Sequence, residues 1–329
     1  MPEPALPGRG EVLLKVTRAA ICGTDAAEWA SGPHLIPPAR TLVLGHEFTG
    51  TVVVAGEEVD GLQPGARVVP GAGMWCGACD ACRAGRTNLC RSYYTLGLQA
   101  DGGLAEYALV PSRMCVPVPA GCADDAAAMA QPLAVALHAL RRGGVEAGNA
   151  VVVIGVGGIG AFVVAAAKAR GAAPVIAADL RAARLETARR LGADAVVDPR
   201  SADVAAAVRD LTEGAGAPLV VEASGSDGAA ALAAACARRG GRVVVLGLPT
   251  EAQRLDLAML TLAEIDLVGS VAHVCAVDVP EALATLERGD LARLVVDRVI
   301  PLDELVAEGL EPVAAGTVDG KVLVAPRAG

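Results

Sequence analysis

The stretch Val151-Val152-Val153-Ile154-Gly155-Val156-Gly157-Gly158-Ile159-Gly160 decides how this chain is to be read. Four β-branched apolar residues give a strand signal that runs directly into glycines at 155, 157 and 160, the spacing G-x-G-x-x-G. Gly155 permits a tight turn, Gly157 lets the backbone approach a pyrophosphate, and Gly160 lets the next helix pack close to the strand. Gly158 and Ile159 open that helix, whose unpaired N–H groups face the phosphates. Alone, such a motif is weak evidence, and a plain αβ protein with a glycine turn is the alternative. Here an acid agrees with it: Asp179 lies 19 residues past Gly160, at the end of the next strand signal, VIAAD. A carboxylate there accepts hydrogen bonds from the adenosine ribose and repels a 2′-phosphate, so NAD is favoured over NADP. Arg181 and Arg184 stand nearby and soften that preference.

Outward from this turn the pattern alternates. Strand signals at 174–178, 195–197, 219–222 and 242–246 are separated by helical runs at 159–170, 182–191, 202–211 and 228–238. That alternation predicts an α/β fold with a doubly wound parallel Rossmann sheet. Before it, short β-branched runs at 11–16, 50–54, 66–69 and 105–110, bounded by Gly, Pro or Asp, predict an irregular β-rich domain. One long helix is expected over 124–142. After His273 come a helix at 279–288 and strand pieces at 298–300 and 321–324. The expected division is a catalytic domain over 1–133, a dinucleotide domain over 134–273, and a return to the first domain over 274–329. Ala150–Ala167 is apolar and long enough to span a membrane, but its central glycines read as strand, turn and helix start, so no membrane span is expected.

The chain has 329 residues, enough for two cores, with 53% hydrophobic but only 2% aromatic residues. Its net charge of -9 argues against nucleic acid or an anionic membrane as partner. Residues 1–10 lack the apolar run of a secretion leader, so a cytoplasmic protein is expected and clustered cysteines favour metal over disulfides. Cys76, Cys79, Cys82 and Cys90 are spaced C-x2-C-x2-C-x7-C. Four thiolates within 15 residues can converge on one tetrahedral zinc, and a tetrathiolate site is closed and structural. An iron–sulfur cluster or unmetallated cysteines are the alternatives. Cys115, Cys122, Cys236 and Cys275 are scattered and read as packing residues. Cys22, His46 and Glu47 offer thiolate, imidazole and carboxylate, a three-ligand set that leaves a position open. Separately, a lone Cys or His is more often structural.

Taken in order, Cys22-Gly23-Thr24-Asp25, Gly45-His46-Glu47, the four-cysteine lobe and Gly155–Gly160 resemble the zinc-containing medium-chain alcohol dehydrogenases over nearly the whole chain. GPHLIP (32–37), GHEFTG (45–50), QPLAVALHAL (131–140), EASG (222–225), IPLDEL (300–305) and GKVLV (320–324) are similar to the polyol branch of butanediol, sorbitol and threonine dehydrogenases. The resemblance implies a GroES-like catalytic domain, one catalytic and one structural zinc, NAD, a small alcohol or polyol substrate, and a homotetramer or homodimer. It implies that Cys22 and His46 ligate the catalytic zinc, with Glu47 a ligand or a close partner. Thr24 would hydrogen-bond the substrate hydroxyl and begin a proton relay. Cys76, Cys79, Cys82 and Cys90 would hold the structural zinc, and Gly155, Gly157, Gly160 and Asp179 would bind NAD.

The chain departs from the pattern at three places. Gln131 stands where the branch usually has a zinc-adjacent Glu, a change that leaves more positive charge on the metal and weakens its retention. Ala27 stands where relatives often carry a proton-relaying His, so Glu28 or solvent would have to serve. The chain also begins about one strand late. His138 reads as a core-facing histidine, while His273, Trp29 and Phe48 are open to either pocket lining or packing. The leading reading is a secondary-alcohol, vicinal-diol or polyol dehydrogenase. A sugar or aminocyclitol dehydrogenase is the alternative, and a non-catalytic NAD-binding protein with structural zinc alone is the alternative of another class. A zinc-free reductase is disfavoured by the cysteine lobe.

Overall fold

The computed structural model describes residues 5–37 and 40–326. They form two compact units: one holds the chain up to Ala134 and again from His273, and the other is Val135–Ala272. The outer ends of the expected 1–133 and 274–329 segments, residues 1–4 and 327–329, lie outside the described residues.

The first unit opens with β1 (Glu11–Ala20), α1 (Gly23–Ser31), β2 (Glu47–Ala55), β3 (Arg67–Pro70), β4 (Gly73–Met74), α2 (Asp80–Arg83), β5 (Tyr94–Thr95), β6 (Tyr107–Pro111), β7 (Cys115–Pro117) and α3 (Asp124–Ala127). Helix α4 (Ala130–Gly143) follows. The second unit carries β8 (Val151–Ile154), α5 (Gly158–Ala169), β9 (Val175–Ala178), α6 (Ala182–Arg190), β10 (Ala195–Val197), α7 (Val204–Leu211), β11 (Ala217–Glu222), α8 (Ala229–Cys236), β12 (Ala237–Val245), α9 (Leu257–Ala263) and β13 (Asp266–Gly269). The chain then returns to the first unit with α10 (Cys275–Arg288), α11 (Leu291–Val295), β14 (Val296–Pro301), α12 (Glu311–Ala314) and β15 (Lys321–Ala325).

In the first unit β1 is the hub. It pairs antiparallel with β2 along its length, with β6 at its start, and with β15 at its end. Two register shifts in the β1–β2 ladder increase local twist and curl the sheet. Val12, Leu14 and Val16 alternate inward, onto a core that includes Phe48, Leu96, Met114 and Leu310. This ladder decides where two of the candidate metal donors fall. Ala20 pairs with Glu47, so the loops that leave β1 and enter β2 start side by side and carry Cys22 and His46.

The second unit is a six-stranded parallel sheet in the order β10-β9-β8-β11-β12-β13. Residues 151–153 of β8 and all of β9 are fully buried, as strands covered by helices on both faces must be. The order reverses between β8 and β11, which is where such sheets open a ligand crevice at their carboxyl ends. Phe162 is this unit's only Phe, Trp or Tyr. Small residues let the layers approach closely instead: a Cβ on Gly143 would meet the Leu219 side chain at 2.6 Å, and one on Gly160 would meet the Gly155 carbonyl at 1.8 Å.

Two expected helices change. The helix read over 124–142 splits into α3 and α4, because Pro132 has no N–H to donate and its ring clashes with the carbonyl four residues back, at Ala128. The helix read over 228–238 ends at Cys236, because Ala237 pairs with Ala217 and starts β12. Helices α1 and α9 and strand β13 have no counterpart in the sequence reading. The apolar run Ala150–Ala167 is β8, a turn and α5, and among the described residues no helix is long and apolar enough to cross a membrane.

Candidate active site

Pairing of β4 with β5, Gly73 opposite Thr95 and Met74 opposite Tyr94, pinches residues 75–93 into a lobe. All four sulfurs of Cys76, Cys79, Cys82 and Cys90 lie within 4.8 Å of one another, and Cys79 Sγ is 3.5 Å from Cys82 Sγ. A zinc with Zn–S of about 2.3 Å sets sulfurs about 3.8 Å apart, so the donors fit such an ion. Backbone N–H groups point at the sulfurs. Cys76 N–H donates to Cys90 Sγ (3.2 Å), Cys79 N–H to Cys76 Sγ (3.3 Å) and Ser92 N–H to Cys90 Sγ (3.3 Å). N–H groups of Arg91 and Cys82 push the Cys79 thiol down to about 6, so the thiolate is favoured at neutral pH.

The second donor group is Cys22, His46 and Glu47, whose ligating atoms also lie within 4.8 Å of one another. Cys22 is the N-cap of α1, and Asp25, at the third helical position, reaches back to accept from the Cys22 N–H at 2.9 Å. The other Asp25 oxygen accepts from Gly45 N–H at 3.1 Å and stands 3.5 Å from His46 Nδ1. One fully buried carboxylate therefore fixes the backbone of both donor loops and orients the imidazole, leaving His46 Nε2 for a metal. Gly45 has a φ of +99°, and a Cβ there would meet Leu104 within 3 Å, so the turn that presents His46 requires glycine. Burial pushes the Asp25 carboxyl up, but His46 and the two N–H donors outweigh it and hold it below the usual range. Burial likewise opposes a charged His46, yet Asp25 and Cys22 raise it well above an ordinary histidine. Thr24 Oγ1 lies 3.7 Å from Cys22 Sγ.

Glu47 has a partner that the sequence reading did not assign. Lys321, on β15, puts its buried Nζ 2.7 and 2.5 Å from the two Glu47 oxygens. Burial disfavours the ammonium, but Glu47 and then Cys22 outweigh it and raise Lys321 above its ordinary value. Glu47 thus enters the donor group already charge-balanced. Glu28 is not arranged as a proton acceptor. It is buried, and its carboxylate accepts from the backbone N–H groups of His34 (3.0 Å), Leu35 (2.6 Å) and Ile36 (3.5 Å), so it holds the 34–36 loop. Ala27 is exposed one residue earlier, which leaves solvent as the other route named for the proton. Gln131 is buried in the first turn of α4. Phe48 is fully buried in the core, and Trp29 is exposed. His138 is buried on α4, its Nδ1 2.9 Å from an Arg141 nitrogen. His273 is also buried, against Gly71.

In the second unit a cavity of about 560 Å³ opens at the carboxyl ends of β8, β9 and β11, lined by Gly155, Gly157, Asp179, Arg181, Arg184 and Ser224 among others. Gly155 has a φ of +84°, and a Cβ there would strike Ser224 at 2.6 Å. Glu222 shapes the facing loop by accepting from Ser224 N–H (2.7 Å), Ser224 Oγ (2.6 Å) and Gly225 N–H (2.9 Å). Asp179 sits at the end of β9 with Val156 N–H donating to it at 2.7 Å. Gly158 and Gly160 open α5, with Ile159 between them, as its first residues. The sequence quoted Asp25, Lys321 and Glu222 inside motifs without assigning them roles. For Asp25 the capping-box spacing from Cys22 was a readable signal. For Lys321 no local signal exists.

Metal donors of this kind, carried in one chain with a dinucleotide-type sheet, define a class: metal-binding oxidoreductases of two-domain build. Residues 8–120 match the alcohol dehydrogenase GroES-like domain and residues 158–288 the zinc-binding dehydrogenase domain. The chain is 32% identical to sorbitol dehydrogenase of Bacillus subtilis over 295 residues, covering 88% of this chain and 82% of that one. It is 37% identical to L-threonine 3-dehydrogenase of Pyrococcus abyssi over 247 residues, covering 74% and 70%. Among solved structures, 2R,3R-butanediol dehydrogenase of Bacillus subtilis superposes with a TM-score of 0.92 at 29% identity, covering 99% and 95%. A zinc-binding dehydrogenase of Sinorhizobium meliloti bound to NADP superposes at 0.88 with 34% identity, covering 99% and 94%. The chain belongs to the zinc-containing alcohol dehydrogenase family, and the sorbitol, threonine and butanediol enzymes among these relatives are the polyol branch that its motifs resemble.

Proposed function

We propose that this protein is a zinc-dependent dehydrogenase that moves a hydride between a secondary alcohol, vicinal diol or polyol and NAD. The observation that carries the reading is the Cys22–His46–Glu47 group, held by Asp25 and Lys321 and distinct from the closed four-cysteine lobe. Zinc at the open group would act as a Lewis acid on the substrate oxygen. The chain's own part is to place Thr24 next to Cys22 as the hydroxyl's hydrogen-bond partner, and to keep Glu47 neutralised by Lys321. Overall, the carbinol carbon gives a hydride to the oxidised nicotinamide and the hydroxyl proton leaves to solvent, yielding a carbonyl compound and the reduced cofactor.

The buried, neutral Gln131 favours a second reading within the class, a sugar or aminocyclitol dehydrogenase. Strand β13 is an edge of the parallel sheet, and Leu257, Leu262, Leu267 and Val271 around it are exposed, which supports a homodimer or homotetramer joined there. Cys76, Cys79, Cys82 and Cys90 are grouped as donors for one metal ion, which supports a reducing, cytoplasmic setting.

The test is reduced-cofactor formation with NAD and a panel of diols, polyols, sugars and aminocyclitols, with zinc counted per chain and repeated after chelation. Chelator-sensitive turnover supports the reading. No turnover by folded protein carrying one zinc per chain would replace it with a non-catalytic NAD-binding protein.

A further inference from the structure

We propose that Gln99 is a positioning residue for the alcohol substrate: it fixes the 34–36 loop beside Thr24, from the same short segment that backs the His46 turn. The inference rests on the dehydrogenase reading of the Cys22–His46–Glu47 group. Thr24 and Glu28 lie four residues apart on α1, so their side chains stand on one face, one turn apart. Glu28 accepts from the N–H groups of His34 (3.0 Å) and Leu35 (2.6 Å), which brings the loop to that face. Leu35 is 52% exposed, and an apolar side chain next to the residue that takes the hydroxyl can meet the carbon chain of a diol or polyol.

The other side of the loop is held by the segment 95–104. Gln99 Nε2 donates to the Leu35 carbonyl at 2.9 Å, and Gln99 Oε1 accepts from Thr95 N–H at 2.8 Å. With both ends of the amide bonded, the side chain has one orientation. Its backbone is fixed as well: Gln99 N–H donates to the Thr95 carbonyl at 2.9 Å, and the Gln99 carbonyl accepts from Arg40 Nη1 at 2.7 Å. A few residues on, the same segment grips the approach to His46. Asp101 accepts from Val43 N–H at 3.0 Å. The N–H groups of Gly102, Leu104 and Gly103 donate to the carbonyls of Val43, Leu44 and Gly45 at 2.8, 2.9 and 2.9 Å. The two backbones touch, since a Cβ on Gly97 would meet Gly45 N at 2.6 Å. One segment therefore sets how far the loop beside Thr24 stands from the turn that presents His46, and Gln99 is the side chain that reaches the loop.

Gln99→Glu tests the link in the zinc-loaded full chain. The carboxylate still accepts from Thr95 N–H but cannot donate to the Leu35 carbonyl, and it faces that carbonyl with a charge. Amide hydrogen exchange followed by mass spectrometry should run about 3-fold to 10-fold faster over residues 34–36, as expected for the loss of one hydrogen bond, with little change in the four-cysteine lobe. With a panel alcohol that turns over, KM should rise by about the same factor and kcat should fall less, because the loop meets the substrate away from its reacting carbon. Gln99→Met, which loses both side-chain bonds, should do at least as much. Exchange over 34–36 at the parent rate in Gln99→Glu would overturn the link; if Gln99→Met alone quickened it, Gln99 would merely support its own turn. Faster exchange with KM and kcat unchanged would overturn the substrate role, since the loop would then be held without meeting the substrate. No turnover by the parent would overturn the dehydrogenase reading and the substrate role with it, while the exchange rates still report the link.

Discussion

Replacing Lys321 with Met removes an ammonium but keeps most of the side-chain volume, which isolates the charge. Its partner Glu47 is 1% exposed and Lys321 is 5% exposed, so neither charge can turn to water. Breaking a buried pair from one side leaves the other charge uncompensated, at a cost of about 3–5 kcal/mol. For a cooperative unit of this size, each kcal/mol shifts the melting temperature by about 2–4 °C, so Lys321→Met should melt roughly 6–20 °C below the parent. Both tryptophans, Trp29 and Trp75, belong to the first unit, and their fluorescence on heating reports that unit's unfolding alone. Adding Glu47→Gln removes the stranded charge, and the double variant should recover at least half of the loss. A Lys321→Met protein that melts with the parent would refute the argument. So would a double variant no more stable than the single one, because the loss would then come from packing.

Gly155→Ala forces a side chain into a left-handed backbone position and against Ser224, so reduced-cofactor binding, titrated by its fluorescence, should weaken by at least about 10-fold; unchanged binding would mean the turn does not shape the site. Cys90→Ser should lower bound zinc by one ion per chain in elemental analysis while the Cys22 group keeps its own, and an unchanged count would remove the lobe as a zinc site. Burial raises the Asp194 carboxyl, but Val175 N–H and Lys168 outweigh it and hold it below the usual value. A depressed folded-state value contributes stability that is present above the ordinary aspartate range, about 4, and is lost as pH falls through the folded value. Asp194→Asn should therefore lower the urea midpoint near pH 7, with the two proteins converging as pH falls below that range. An offset that persists unchanged into acid would show that the charge is not what matters.

Much of the fold was legible because its signals are local. The 151–160 turn, the βα alternation around it and the C-x2-C-x2-C-x7-C lobe are each written within a few tens of residues. Helix ends were less legible. Ala-rich runs carry the same pattern whether they continue as helix or are captured by a strand, as at Ala237, which pairs with Ala217. Short elements such as α1, α9 and β13 were missed because a few residues hold too little periodicity to distinguish helix from loop. In α1 this concealed Asp25 and Glu28, whose meaning depends on where the helix starts and which loop folds back onto it.

By itself the sequence determined the chemical vocabulary of this protein: a glycine turn of dinucleotide-binding pattern followed by Asp179, four cysteines spaced for one ion, and a Cys–His–Glu set with its family's order. Those depend on residue type and short spacing, which the covalent chain imposes. Only the tertiary structure decided who balances whom. Lys321 meets Glu47 across 274 residues because β15 and β2 both pair with β1. Arg184 lies over Gly157 because α6 packs where the parallel sheet turns it. Pairings of this kind follow from sheet register and helix packing, which bring distant residues within a few ångströms and leave no periodic trace in the chain.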